Sequence, residues 1–91
     1  MRFEWDEAKR RSNIRRHGID FAVVAKVLDG ATITFLDDRF DYGERRFRTY
    51  GLLFEKVVVV THTEADEIIR VISVRKATKN EERVYFKQIK D

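Results

Sequence analysis

The stretch RFRTYGLLFEKVVVVTHTEADEIIRVISVR, residues 46–75, contains three runs rich in β-branched and aromatic side chains. The runs cover residues 46–54, 57–62 and 68–75, with short polar connections between them. Runs of this composition are typical of strands, and connections this short join strands that run antiparallel. The stretch therefore predicts a three-stranded antiparallel meander.

Three helices are predicted around the meander. Asp6 and Asp20 are expected to cap the first two, because a short polar side chain at that position accepts a hydrogen bond from the first helical turn. These two helices cover about residues 7–17 and 21–28. Thr78 is followed three residues later by Glu81, and this spacing indicates a capping box at the start of a C-terminal helix.

Alternation over residues 32–35 indicates a fourth strand before the meander. Residues 2–5 alternate in the same way, so a short additional strand there stays open. We therefore expect residues 1–91 to form a single α+β domain. Its core would be an antiparallel sheet of about four strands, packed with two N-terminal helices and a C-terminal helix.

Side-chain alternation sorts the meander into two faces. With Glu55-Lys56 as the first turn, Thr49 lies opposite His62. A second loop at residues 64–67 then pairs the last strand with the middle one. One face then gathers Arg46, Arg48, Tyr50, Thr61 and Arg70 at one end. The same alternation assigns Lys76 to this cationic face, and His62 and Arg75 to the opposite face.

Cations that converge beside a tyrosine on a sheet suit a phosphodiester and a stacked base. The alternative is an ordinary charged surface, in which the arginines are solvated or paired with acidic residues of the preceding loop. Those acidic residues are Asp37, Asp38, Asp41 and Glu44. A third interpretation is that the same carboxylates hold the arginines in position for a ligand.

Composition narrows the class of protein. The chain has 91 residues, 38% of them charged, and its apolar runs, such as 52–54 and 57–60, are far shorter than a membrane span. There is no cysteine, and the N-terminus does not read as a secretory signal. We expect a small cytoplasmic domain. Twelve arginines against seven lysines favour bidentate binding of phosphate or carboxylate groups.

The candidate chemistry is limited. The acidic loop at residues 37–44 is interrupted by Arg39 and does not have calcium-loop spacing, and His17 and His62 lack metal-ligand spacing. No glycine-rich phosphate loop is present, and no serine has a histidine near it in the sequence. RNA cleavage by its own 2′-hydroxyl needs only cations and proton carriers, so we expect neither a metal nor another cofactor.

Several short motifs, in this order, resemble the BrnT toxins of bacterial type II toxin–antitoxin systems. They are Phe3-Glu4-Trp5-Asp6, His17-Gly18-Ile19, Asp37-Asp38-Arg39, Tyr42-Gly43-Glu44-Arg45-Arg46 and Ile72-Ser73-Val74-Arg75-Lys76-Ala77-Thr78. The resemblance implies a RelE/ParE-like fold and an endoribonuclease that inhibits translation. It also implies neutralisation by a BrnA-type ribbon-helix-helix antitoxin, with operator DNA bound only through the antitoxin complex.

The resemblance also implies site residues. Residues 71–76 with Tyr85 in the next helix resemble the last strand and C-terminal tyrosine of RelE-type nucleases, and Arg46 and Arg48 stand where those carry two lysines. The expected catalytic residues are Arg75, Lys76, His62, Arg48 and Tyr85. The expected RNA-binding residues are Arg46, Arg45, Arg70, Tyr50 and Arg15, the last from the basic first helix.

Some alternatives remain open at this point. His62 or Tyr85 would move protons in such a nuclease, but a hydrogen-bonded histidine and a packed tyrosine are structural interpretations of the same residues. A different class of function is a non-catalytic basic module, acting as the antitoxin's partner on DNA or as a ParE-like topoisomerase inhibitor.

Overall fold

The computed structural model describes residues 1–90, which form a five-stranded sheet with helices on both faces. The elements in chain order are β1 (Arg2–Glu4), α1 (Glu7–His17), a 3₁₀ turn (Phe21–Val23), α2 (Val24–Leu28), β2 (Ile33–Asp37), β3 (Arg46–Leu53), β4 (Lys56–Ala65), β5 (Ile68–Lys76) and α3 (Lys79–Lys90).

The sheet is mixed, so the expectation of an antiparallel sheet of about four strands was wrong. Its strand order is β1-β5-β4-β3-β2, and β1 runs parallel to β5. Arg2 lies opposite Ile68 and Glu4 opposite Arg70. The three residues of β1 thus extend the open edge of β5 from the far end of the chain. Local alternation allows a strand at residues 2–5 but does not indicate which strand it pairs with.

The expectation of two N-terminal helices was also wrong in form. α1 begins and ends as predicted: the Asp6 side chain accepts a hydrogen bond from Lys9 N at 3.1 Å, and Gly18 ends the helix with φ +71°. The second segment begins as a 3₁₀ turn, because the Val23 amide bonds back only three residues, to the carbonyl of Asp20 at 3.2 Å. Only five residues, α2, then follow in α-helical form.

The hairpin between β3 and β4 turns one residue earlier than predicted. Phe54 and Glu55 both have positive φ, 49° and 69°, as in a two-residue turn whose twist matches its strands. The pairing therefore moves by two residues, and Thr49 lies opposite Val60 instead of His62. A shift by an even number keeps every side chain on its predicted face, so the face assignment of β3 and β4 is confirmed.

A β-bulge in β5 changes the faces beyond it. His62 of β4 lies opposite Val71, but the preceding residue, Thr61, lies opposite Ser73. Ile72 is therefore an extra residue with no counterpart on β4. Because one inserted residue reverses the alternation, residues 73–76 point to the faces opposite to those predicted for them.

Apolar side chains fill both sides of the sheet. The face covered by the 3₁₀ turn and α2, here the α2 face, buries Phe21, Val24, Val27, Val58, Val60, Ile69, Val71 and Val74. The other face, here the α3 face, buries Tyr50, Val57, Val59, Ala77 and Tyr85. The central strand β4 is covered on both sides, which explains its uninterrupted run of four valines. Within residues 1–90, no helix is both long and apolar enough to cross a bilayer.

Asn13 fastens α1 to the edge of β5. Its Nδ2 donates to the Val74 carbonyl at 2.8 Å and to the Ile19 carbonyl at 2.9 Å, while its Oδ1 accepts from the Val74 amide at 3.1 Å. The side chain is 5% exposed. A single amide thus satisfies both backbone groups of a strand residue beyond the reach of β1.

Replacement of Asn13 is expected to destabilise the fold. Asn13→Ala leaves the Val74 amide and carbonyl without their partner in a buried place, so we expect the free energy of unfolding to fall by about 2 kcal/mol. Urea denaturation followed by circular dichroism measures this change. Asn80→Ala, at an exposed asparagine of α3, is the control and should change stability little; equal effects of the two substitutions would contradict the role given to Asn13.

Candidate active site

The polar end of the α3 face is built by cross-strand rows of side chains. In the first row, Asp37 of β2 lies opposite Arg46 of β3. The second row consists of Phe35, Arg48, Thr61 and Ser73, one from each of β2 to β5. The third row consists of Ile33, Tyr50, Val59 and Arg75. Adjacent rows are about 6.6 Å apart along a strand, so a ligand of nucleotide size spans them.

The bulge at Ile72 determines which cation of the β5 end joins these rows. Arg75 lies opposite Val59 and therefore on the α3 face with Tyr50, contrary to its predicted place on the other face. Lys76 lies opposite Val58, a residue of the α2-face core, so its predicted place on the cationic face was also wrong. The structure thus places Arg75 on the same face of the sheet as Arg48 and places Lys76 on the other face.

Most arginines at this end are held by carboxylates. Arg39 makes a bidentate contact with Asp37 at 2.8 and 3.0 Å, and Arg75 makes one with Glu81 at 2.8 and 2.9 Å. Glu44 contacts Arg70 at 2.6 Å and Arg46 at 3.1 Å. We call Arg39, Arg46, Arg48, Arg70 and Arg75 the arginine cluster. The alternative in which loop carboxylates pair with the arginines of the sheet is confirmed for Glu44, which holds Arg46 and Arg70. Asp37 instead pairs with Arg39 of its own loop.

Asp37 organises the loop that brings Arg39 to the cluster. Its side chain is almost fully buried, and the hydrogen bond from Arg39 holds the pKa of the carboxyl below its ordinary value. The Tyr42 hydroxyl donates to the same carboxylate at 3.3 Å, and the Arg46 guanidinium lies 4.1 Å from the centre of the Tyr42 ring. Arg39 and Tyr42 were not predicted as site residues, although both belong to motifs quoted above.

Arg48 differs from the rest of the cluster. Within residues 1–90 it makes no salt bridge, and its Nε–H is buried without a hydrogen-bond acceptor. It lies between the row of Asp37 and Arg46 and the row of Tyr50, and its charge helps to lower the pKa of Asp37. A buried guanidinium N–H without an acceptor is unfavourable unless a ligand supplies one.

His62 lies on the α2 face, away from the arginine cluster. Its ring is 0% exposed, its Nε2 is 2.7 Å from Thr49 Oγ1, and Phe47 stacks on it with ring centres 5.9 Å apart. Burial lowers the pKa of His62 below its ordinary value, because the buried ring is less stable in its charged form. A hydrogen-bonded histidine was one of the two interpretations of His62 from the sequence, and the structure shows this hydrogen bond.

Other predicted site residues also lie outside the cluster. Tyr85 is buried in the α3-face core, its hydroxyl donates to the Ala31 carbonyl at 2.7 Å, and burial raises its pKa. Arg45 contacts the Phe47 ring, with its guanidinium carbon 5.7 Å from the ring centre, and Arg15 is exposed near the end of α1. Tyr50 lies in the third row but is 6% exposed, so little of it is available for base stacking.

Glu81 is the site residue whose second role was missed. As predicted, it completes a capping box: its carboxylate accepts from the Thr78 amide at 2.8 Å, and its own amide donates to Thr78 Oγ1 at 3.2 Å. The same carboxylate holds Arg75. The hydrogen bond from Arg75 is the main reason that the pKa of Glu81 falls to about 2. The start of α3 and the position of Arg75 are therefore coupled.

No three His, Cys, Asp or Glu side chains within residues 1–90 come together in a way that would hold a metal ion. The arginine cluster contains five guanidinium groups but only three carboxylates that contact them, those of Asp37, Glu44 and Glu81. A small α+β domain with such a surplus of arginine on one end of a sheet face is suited to binding phosphodiesters.

The sequence matches the family model described as ribonuclease toxin, BrnT, of type II toxin–antitoxin system, over residues 5–81. The chain belongs to this family. It is thus a ribonuclease toxin that acts on RNA and has a protein antitoxin as partner. No curated protein sequence matches it.

Arg75 and Lys76 provide a matched test of the face assignment. Arg75→Gln is expected to lower RNA cleavage about 100-fold, because it removes a positioned cation from the α3 face. Lys76→Gln removes the same charge one residue further on, from the opposite face, and should leave cleavage unchanged. Rates of RNA cleavage by the purified variants measure both effects. Equal losses in the two variants would contradict the faces that the bulge creates.

Acid is expected to weaken the bond between Glu81 and Arg75. The pKa of Glu81 is depressed to about 2 from 4.5, so its contribution to stability is complete above pH 4.5 and is lost as the pH falls towards 2. Glu81→Gln should therefore be less stable than the wild type at pH 7, and the difference should close between pH 4.5 and 2. Urea midpoints across this range measure it. Glu82→Gln, at the next glutamate, is the control and should show no such convergence.

Proposed function

We propose that the chain is an endoribonuclease that cleaves RNA through the 2′-hydroxyl of the substrate, with Arg48 at the scissile phosphate and no metal ion. The observation that carries this proposal is the buried Nε–H of Arg48, which lacks an acceptor within residues 1–90. A non-bridging phosphate oxygen is a suitable acceptor, and a guanidinium presents two parallel donors to a phosphate.

The chemistry of this reaction matches what the cluster offers. The 2′-hydroxyl gives up its proton to water as its oxygen attacks the neighbouring phosphorus. The bond from phosphorus to the 5′-oxygen of the next nucleotide breaks, that oxygen takes up a proton from water, and a 2′,3′-cyclic phosphate and a 5′-hydroxyl form. Negative charge builds up on the phosphoryl oxygens in the transition state, where fixed cations stabilise it most. The carboxylates that hold Arg46 and Arg75 keep these groups in place before the substrate arrives. In the proposal, Arg46 and Arg75 flank the phosphate that Arg48 contacts.

The proposal rests on the arginines for charge stabilisation. For proton transfer by His62, the ring would have to leave Thr49 and reach the opposite face of the sheet. Tyr85 would have to give up its hydrogen bond to the Ala31 carbonyl. The surplus of arginine over carboxylate in the cluster supports binding of a polyanion independently of these two side chains.

We further propose that the protein antitoxin is of the BrnA ribbon-helix-helix type and that the complex binds operator DNA through it. The motifs between residues 3 and 78 support this proposal, as they support a RelE/ParE-like fold, translation inhibition and action in the cytoplasm. A basic site of this kind also suits an acidic segment of a partner, since carboxylates and phosphates are bound by the same guanidinium geometry.

The test of the proposed site is Arg48→Gln, with cellular RNA mapped for new 5′ ends after induction. We expect the wild type to produce new ends and Arg48→Gln to reduce them about 100-fold or more, because it removes the cation at the transition state. Arg83→Gln, at an exposed arginine of α3, is the control and should cleave as the wild type does.

Purified protein tests the proposed chemistry. Cleavage should persist in EDTA, leave a 2′,3′-cyclic phosphate and a 5′-hydroxyl, and stop on RNA with 2′-O-methyl groups. Loss of cleavage in EDTA would contradict the metal-free mechanism. Growth arrest without any new RNA ends would contradict cleavage by this chain and favour the non-catalytic binding module.

A further inference from the structure

A second cationic site lies beside the arginine cluster, where α1 meets the edge of β5. A cleft of about 140 Å³ opens there, and we call it the α1–β5 cleft. Its lining residues are Lys9, Ser12, Asn13, Arg16, His17, Ile72 and Ser73. None of them is acidic. By contrast, the cavity at the opposite end of β5 is lined by Glu4, Glu44, Glu64 and Asp66 among others.

The cleft shares one residue, Ser73, with the row that contains Arg48. That row crosses the sheet from Arg48 through Thr61 to Ser73, and Ser73 also lines the cleft. Two strand spacings, about 9.6 Å, separate Arg48 from Ser73. A polynucleotide that places one phosphate at Arg48 and continues along this row therefore reaches the cleft within a short distance.

The α1 residues of the cleft form one helical face. Lys9, Ser12, Asn13 and Arg16 follow the i, i+3, i+4, i+7 spacing, and Asn13 fixes this face against β5. Lys9 and Arg16 are exposed, and their side chains make no salt bridge within residues 1–90. Two carboxylates near α1 are engaged by Arg10, which contacts Glu7 at 2.8 Å and Asp20 at 2.9 Å. A third, Asp6, caps the helix by accepting a hydrogen bond from the Lys9 amide.

We propose that the α1–β5 cleft is a second phosphodiester-binding subsite, which holds the RNA strand beyond the nucleotide at Arg48. Lys9 and Arg16 provide charge to the flanking phosphate, and the hydroxyls of Ser12 and Ser73 provide hydrogen bonds. This inference rests on the proposed function, because Arg48 defines where the strand begins. It replaces Arg15 by Lys9 and Arg16 as the RNA contacts of α1.

The helix itself supplies a matched control. Arg11 and Arg15 are exposed on α1, make no salt bridge within residues 1–90 and do not line the cleft. At 3.6 residues per turn they lie about 160° and about 120° around the helix from Lys9. Lys9→Gln/Arg16→Gln and Arg11→Gln/Arg15→Gln therefore remove the same charge from the same helix. Only the first pair removes it from the cleft.

The experiment measures binding of 2′-O-methyl RNA, which lacks the attacking hydroxyl and stays intact, by fluorescence anisotropy. A dinucleotide covers the site at Arg48 alone, and a dodecamer reaches the cleft. We expect Lys9→Gln/Arg16→Gln to weaken dodecamer binding about fivefold to tenfold, as for two exposed ionic contacts, and to leave dinucleotide binding unchanged. The slope of log affinity against log salt should fall by about 1.4 for the dodecamer.

The other outcomes decide against the subsite. Equal weakening by Arg11→Gln/Arg15→Gln would show a general effect of charge on α1 and overturn it. No effect of either pair would also overturn it, and would leave the cleft to another partner such as the antitoxin. Arg48→Gln separates the two proposals: it should weaken the dinucleotide and the dodecamer alike, and no effect on either would overturn the site at Arg48 whatever the cleft does. Circular dichroism checks that every variant is folded.

Discussion

The candidate site depends on one residue, Ile72, that has no counterpart on the neighbouring strand. Val71 and Val74 both lie in the core of the α2 face although three positions separate them, which regular alternation forbids. Without the bulge, Arg75 would point into this apolar core, where an unpaired guanidinium is strongly unfavourable. With the bulge, Val74 takes the core position and Arg75 reaches the polar end of the other face. The same bulge thus keeps an apolar side chain in the core and places a charged side chain in the site.

Repulsion between guanidinium groups is the second constraint on this end of the sheet. Asp37, Glu44 and Glu81 lie between the arginines, reduce their repulsion and fix their positions. Alternation in β3 correctly placed Arg46 and Arg48 on one face. The predicted and the observed turn between β3 and β4 differ by an even shift in pairing, so both give the same faces. The contact of Glu81 with Arg75 did not follow from the sequence. It exists only because the bulge moves Arg75 to the face on which α3 begins.

Local signals predicted the elements well where the responsible interactions are local. The caps at Asp6 and Thr78 and the valine-rich strand β4 depend on neighbours in the sequence, and all three are present. The parallel strand β1 depends on residues far along the chain, so alternation left it open. The bulge at Ile72 was missed because neither glycine nor proline interrupts residues 68–75. The turn was displaced because neither Phe54 nor Glu55 is a usual residue for positive φ.

The pairing of β1 with β5 has a consequence for the order in which the molecule assembles during synthesis. Residues 2–4 are made before the other strands of the sheet, yet their partners are residues 68–70 of β5. The sheet therefore cannot be completed until most of the chain has been made. Arg75 and Glu81 are made later still, so the arginine cluster is assembled only after residues 1–74 have been synthesised. On the nascent chain, Arg75 therefore lacks the carboxylate that fixes its position until Glu81 has also been made.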